Sequence, residues 1–307
     1  MLTVEGVDNR QEVREFLISR RAKITPEQAG LLAGGNRRVP GLRRSEVAAL
    51  ADVSIEYYSK LERGALAGAS ETVLEAIARA LQLDDAERGH LFDLARAADG
   101  TSATVRPRRQ GAKGKQWRPH RSLQWTLDAV TDGPAFVRNG RMDLLAANQL
   151  ARALYSPVYE SRHQPPNIAR FQFLDPASYE FYPGWDSFAD TSVAILRTVA
   201  GRNPGDKDLH DLVGELSTRS DEFRTRWGAH NVRHHRTGLE TFHHPVVGDI
   251  TIAYEGMDMA VEPGLTLTIY AAEPGSPSQE ALRLLASWAA SQETSHETQS
   301  STPHVSS

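Results

Sequence analysis

One short stretch, Leu42 to Gly64 (LRRSEVAALADVSIEYYSKLERG), restricts the fold more than any other part of the chain. Val47, Ala48 and Ala51 fall on one face of a first short helix, and Tyr58 and Leu61 on one face of a second. Between them Asp52-Val53-Ser54 allows only a tight turn. Val53 turns inward, Ser54 caps the second helix, and Asp52 tolerates the left-handed backbone such a turn demands. Ala48 is small where the second helix must cross close by. This pairing leaves Ile55, Glu56, Tyr57, Ser59, Lys60 and Arg63 facing outward.

The flanking residues are helical in pattern. Val13, Phe16, Leu17 and Arg20 follow the three-and-four spacing of an amphipathic helix opening after Asp8 and Asn9. Thr25-Pro26-Glu27 predicts another helix start, and Ser70 a further one carrying Val73, Leu74, Ile77 and Leu81. Asp84 with Glu87 has the spacing of a capping box. From about Asp99 the apolar period stops, and Gly, Ser, Thr, Pro and basic residues predict a linker over 99–121.

Net charge is −4, but its distribution is uneven. Residues 1–121 carry 21 Lys/Arg against 16 Asp/Glu, while residues 122–307 carry 14 against 23. Positions 10–44 hold nine basic and three acidic residues, and positions 106–121 hold seven basic and none acidic. Such patches provide a local footprint for phosphates whatever the whole-chain charge. With no cysteine in the chain, disulfides and thiolate chemistry are excluded. No run is long and apolar enough to span a bilayer, and the start lacks a signal-peptide pattern, so a cytoplasmic protein without membrane attachment is expected.

The motif resembles the Cro-repressor-like, or xenobiotic-response-element, family of helix-turn-helix DNA-binding domains through Val47-Ala48, Val53-Ser54, Tyr58 and Leu61-Glu62-Arg63-Gly64. The resemblance covers about residues 8–98 and implies an all-α domain that binds double-stranded DNA. A helix of this length lies in the major groove with its early side chains on base edges, while surrounding cations hold phosphates. On that basis Ile55, Glu56, Tyr57 and Lys60 are expected to face bases, with Ser54 at the helix start. Arg37, Arg38, Arg43, Arg44 and Arg63 are expected on the backbone. Arg44 stands where many members carry glutamine, and Asp52 where they carry glycine. A single short helix reads few base pairs, which points to a homodimer on an inverted repeat.

Beyond the linker the pattern becomes mixed. Pro134–Arg138 and Arg141–Asn148 flank Asn139-Gly140, which predicts a two-residue hairpin. Helical stretches follow near 185–200, 206–217 and 221–228, then strands at Val232–His244, Asp249–Met259 and Leu265–Ala272. A last helix, Ser278–Ala290, precedes a Ser/Thr/His-rich tail over 291–307 that is expected to be disordered. The segments GPAFVRNGRMDLLAANQLARALY, ARFQFLDP, LVGELSTRSDEFRTRWGAHNVR and AEPGSPSQEALRLLASW together resemble the ligand-binding domain of MmyB-like regulators, over nearly all of 122–290. That resemblance implies an α+β domain with a PAS-like antiparallel sheet, a small-molecule pocket, fatty-acid-like ligands and control of genes.

From the residues alone, Phe136, Trp185, Phe223, Trp227, Phe242 and Tyr254 are aromatic candidates for lining a cavity or simply filling a core. Trp227, His230 and Arg233 either converge at a pocket mouth, with Arg233 facing a ligand carboxylate, or form a helix-end hydrogen-bond cluster. His230, His234, His235, His243 and His244 crowd together, but adjacent strand residues point to opposite faces, and neither HExxH nor a clear carboxylate partner accompanies them. No GxSxG, P-loop or dinucleotide fingerprint is present, so neither catalysis nor a cofactor is expected. The competing reading is an enzyme or metal-binding domain fused to a DNA-binding module.

Overall fold

The computed structural model describes residues 4–31, 39–100, 117–229 and 237–300. In chain order the N-terminal helices are α1 (Val4–Lys23), α2 (Arg44–Leu50), α3 (Ile55–Glu62), α4 (Glu71–Ala80) and α5 (Asp85–Ala98). Then come α6 (Arg121–Asp128), β1 (Ala135–Asn139), β2 (Leu144–Ala147), α7 (Gln149–Leu154), α8 (Ser156–Glu160), α9 (Ile168–Leu174) and α10 (Ser178–Phe181). The chain continues through α11 (Trp185–Arg202), α12 (Lys207–Arg219), α13 (Asp221–Gly228), β3 (Thr237–His244), β4 (Gly248–Asp258), β5 (Leu265–Ala271) and α14 (Pro277–Ser300). These group into two compact units, one of residues 1–106 with 190–234 and one of 107–189 with 235–307; the division falls within α11, between Ala189 and Asp190.

In the helical unit, caps set the element boundaries. The Ser54 Oγ accepts from the Tyr57 N–H at 3.0 Å, Ser70 does the same for Val73, and Asp84 and Glu87 exchange side-chain bonds with each other's backbone. Asp52 takes φ 53°, the left-handed turn expected of it, and the Val53 N–H reaches the Ala48 carbonyl at 3.0 Å. Phe16, Leu17, Val47, Ala48, Tyr58, Leu61, Ile77 and Leu91 form the core. Gly64 has φ 94°, and a Cβ there would lie 2.3 Å from the Arg10 carbonyl oxygen, so only glycine lets the end of α3 approach α1.

Two expectations need correcting here. Helix α1 begins at Val4 rather than after Asn9; the Asn9 side chain is buried and donates to the Leu94 carbonyl instead of capping. Thr25 does exchange bonds with Gln28, but they close a single turn, because Gly30 at φ 73° ends it before a helix propagates.

The second unit is a five-stranded antiparallel sheet in the order β2-β1-β5-β4-β3, with helices. Its first hairpin pairs as expected, but not through a two-residue turn: Arg138 opposes Leu144, and the positive φ belongs to Met142. Asn139 stays in β1, where its Oδ1 accepts from the Arg141 and Asp143 N–H groups and its amide donates to Asp143 Oδ2 at 2.7 Å. That side-chain network holds a longer loop than Asn-Gly alone requires. Asn148 is used just as fully, accepting from Ala135 and Ala151 and donating to the Val130 and Gly133 carbonyls, which fastens α7 to the start of β1. One sheet face packs Ala135, Val137 and Ala146 against Leu123 and Leu127 of α6. The other carries Phe136, Arg138, Glu240, Phe242, Ile250, Ile252, Tyr254, Thr268 and Tyr270, all buried.

Strand β3 starts at Thr237, so the portion expected over 232–236 lies outside the described residues. Helix α14 runs to Ser300, ten residues past its expected end at Ala290. No glycine or proline interrupts the chain between Ser278 and Ser300, and its Gln, Glu and Ala residues favour continued helix. Residues 301–307 of the expected tail lie outside the described residues.

Candidate nucleic-acid interface and ligand site

The outward face of α3 is built by the same periodicity that fills the core. Ile55, Glu56, Lys60 and Arg63 are exposed and Tyr57 is half-buried, while Tyr58, Leu61 and Glu62 turn inward. Arg43 and Arg44 are exposed at the start of α2; Arg37 and Arg38 lie outside the described residues. The helix start, with Ser54 as cap, leaves the face around Ile55 and Glu56 clear. Sequence reasoning missed Glu62, which is almost completely buried and accepts from Arg21 Nε and Arg44 Nε, each at 2.7 Å. Burial alone would raise its carboxyl, but the guanidinium hydrogen bonds reverse this and hold it below the usual carboxylate range. Arg44 is thus anchored through one nitrogen while about half of its side chain stays in solvent, so its position before contact with a phosphate is already set.

In the sheet unit the expected aromatic residues do not form one set. Phe136 meets the Tyr155 ring edge at 5.3 Å and Tyr270 at 5.9 Å, and Tyr254 meets Tyr270 at 6.1 Å, so Tyr270 joins two candidates. Phe242 belongs to this cluster as well, packing on Tyr155, Phe181 and Tyr270. Trp185 stacks on Tyr179 at 4.5 Å and donates its indole N–H to the Gln172 carbonyl and Ser178 Oγ. Phe223 and Trp227 fall in the helical unit, where they stack on each other at 5.5 Å and Trp227 receives the Arg197 guanidinium on its face. His230 and Arg233 lie outside the described residues.

Polar groups run through the middle of the aromatic cluster. Tyr155 and Tyr270 join hydroxyls at 2.8 Å, and the Tyr270 hydroxyl donates to Glu240 Oε2 at 2.9 Å. Burial, reinforced by Glu240, pushes both phenols well above their ordinary range, so they remain neutral hydrogen-bonding groups. Arg138 sits on the same sheet face as Phe136, two residues away. Elsewhere in the unit, a shallow depression between Val130–Gly133 and Tyr270–Ala272 has Asp132 as its only charged side chain. His244 is buried and neutral in pattern: its Nε2 donates to the Ala153 carbonyl and its Nδ1 accepts from Val246. Among the described residues no group of His, Asp and Glu has the arrangement of a metal site.

Known family profiles match both parts of the chain. A helix-turn-helix domain matches over residues 19–91, and the MmyB-like transcription regulator ligand binding domain matches over residues 119–285, more than half of the 307 residues. The chain belongs to the MmyB-like regulators. A search of curated proteins found no match. This regulator therefore combines a DNA-binding helix-turn-helix with a ligand-binding domain, and the sheet and the helical region that the resemblance implied are both present. Among its described residues no helix is long and apolar enough to cross a membrane.

The MmyB-like domain also holds residues that sequence reasoning passed over, namely Arg138, Tyr155, Glu240 and Tyr270. The available signal was alternation. In AFVRN and LETFHH, Arg138 and Glu240 stand two residues from Phe136 and Phe242, on the face that should be apolar.

Proposed function

We propose that this MmyB-like regulator is a cytoplasmic, sequence-specific DNA-binding homodimer whose sheet domain senses a small, mainly apolar ligand of fatty-acid type. The observation that carries the DNA half is the α3 surface, where Ile55, Glu56 and Lys60 are exposed beside Arg43, Arg44 and Arg63. Exposure of both sets supports groove recognition, in which α3 side chains read bases and the cations hold phosphates. The aromatic cluster around Tyr270 supports the sensing half. A ligand acts on DNA binding only if it binds the DNA-competent and incompetent states unequally.

The test compares Lys60→Ala with Arg44→Ala on operator and random duplexes across a salt series. Lys60→Ala should cost about 1–3 kcal/mol on the operator and little on random DNA. Arg44→Ala should weaken both and lower the salt slope by about one. Equal losses on both duplexes in both variants would refute the assignment of α3 as the reading helix.

A further inference from the structure

Arg138 is more than nine-tenths buried, yet its side chain's one hydrogen bond among the described residues runs to the adjacent Asn139 carbonyl at 3.4 Å, and it enters no ion pair there. A buried guanidinium normally meets a carboxylate within contact distance. The charged and hydroxyl groups near enough to act on Arg138 are those of Tyr270, Tyr155, Asp258 and Glu240, and Arg138 shares the inner sheet face with Tyr270 and Glu240. A second orphan stands by the same groups. Tyr182 is completely buried, its ring lies 5.8 Å from Phe242, and its hydroxyl has no hydrogen-bond partner among the described residues. That hydroxyl too lies in the field of Tyr155 and Glu240. An unsatisfied buried hydroxyl costs stability, and an unpaired buried cation costs more. Two such groups bordering one tyrosine-carboxyl cluster form a polar site inside an otherwise aromatic interior.

We propose that Arg138 and Tyr182 receive the polar end of the ligand, and that the ligand is an oxygenated organic acid: a carboxylate for Arg138, a hydroxyl or keto oxygen for Tyr182, and an apolar body along Phe136, Phe242 and Tyr270. The inference rests on the sensing role proposed above and narrows it from hydrophobes in general to acids bearing a second oxygen. Glu240, already accepting from Tyr270, disfavours a second bare carboxylate beside it and favours a hydroxyl. The plain fatty acid satisfies only one of the two orphans.

The experiment uses the full chain and three probes of equal length, dodecanoate, hydroxydodecanoate and dodecanol, titrated by calorimetry against wild type, Arg138→Met, Arg138→Lys and Tyr182→Phe. Wild type should prefer the acids over the alcohol roughly ten- to hundredfold, and the hydroxy acid over the plain acid about fivefold. Arg138→Met should erase the first preference while Arg138→Lys retains part of it, and Tyr182→Phe should erase only the second. Without any probe, Tyr182→Phe should raise the thermal midpoint by removing an unsatisfied buried hydroxyl, and Arg138→Met should raise it by removing a buried charge that has no ion pair among the described residues. A lowered midpoint would make these residues structural and overturn the proposal, as would an unchanged acid preference in Arg138→Met or failure of both acids to bind wild type. Tight acid binding that leaves operator affinity unchanged would instead refute the sensing role while leaving the site assignment standing.

Discussion

The two units treat their buried arginines in opposite ways. In the helical unit each buried arginine has an acid: Arg20 pairs with Glu87, and Arg197, with no exposed side chain, pairs with Glu12 and donates to the Trp227 carbonyl. Glu62 is likewise shared by Arg21 and Arg44. In the sheet unit Arg138 is buried to a similar degree with no ion pair among the described residues. Paired charges lock helices in one arrangement, since breaking such a pair strands the survivor in low dielectric. An unpaired one costs stability for as long as nothing comes to meet it. The contrast teaches that burial of a charge alone does not mark a binding site; burial without a partner does.

The largest effect is expected of Glu62→Ala. It leaves Arg21 and Arg44 facing each other at a buried position, and because Arg44 is half in solvent the loss should lie near the lower end of the usual range, about 3 kcal/mol. Hydrogen exchange should show that loss in α1, α2 and α3 and leave the sheet amides unchanged. A change below about 1 kcal/mol would mean that the pairing in the helical unit is ornamental.

Ser54→Ala should cost about 1 kcal/mol, again confined to the helical unit, because it removes the acceptor for the Tyr57 N–H and nothing else. Chemical denaturation measures it, and the same variant should lose operator affinity through a frayed start of α3. Retention of full stability would show that solvent replaces the cap.

The smallest effect separates the units by pH. Burial lowers the His244 pKa, only partly offset by its bond to the Ala153 carbonyl, so protonation is resisted in the folded state. With the folded value below the unfolded one of about 6.5, its stabilising contribution is present above that pH and declines as pH falls through the folded value. Glu62, also depressed, holds its contribution until pH falls below the unfolded carboxylate value of about 4.3. The sheet amides should therefore begin to lose protection at milder acidity than those of α1 to α3, and His244→Gln should flatten the sheet's slope. A slope unaltered by that substitution would assign the acid response elsewhere.

Much of the fold was legible in the sequence because local chemistry decides it. Ser54, Ser70 and Asp84 cap where their side chains permit, Asp52 turns where a left-handed residue is needed, and the strands after Thr237 follow their alternation. The outward set on α3 followed from the same periodicity. What could not be read were pairings across long separations, such as Arg21 with Glu62 or Tyr270 with Glu240, since nothing local to either residue names its partner. The Asn139-Gly140 hairpin failed for a related reason: the Asn139 side chain bonds forward to Asp143 and holds a wider loop than the dipeptide favours. Aromatic character likewise says nothing about which unit a helix joins, so the division that sets Phe223 and Trp227 apart from Phe136 had no signal in the sequence.

The helical unit takes residues 190–234 from far down the chain, and this has a consequence for how the regulator is made. Glu12 and Asp93 emerge from the ribosome long before Arg197 and Arg202, their partners in the finished unit. At 5–20 residues per second the wait is on the order of ten seconds, and in that interval Glu12 of α1 lacks its arginine while Asp93 of α5 has Arg96 but not Arg202. The first sheet strands, β1 and β2, are synthesised within that gap. A newborn chain therefore completes its helical unit only after part of its sheet already exists, and a message truncated before Arg197 yields an α1 whose Glu12 lacks its arginine.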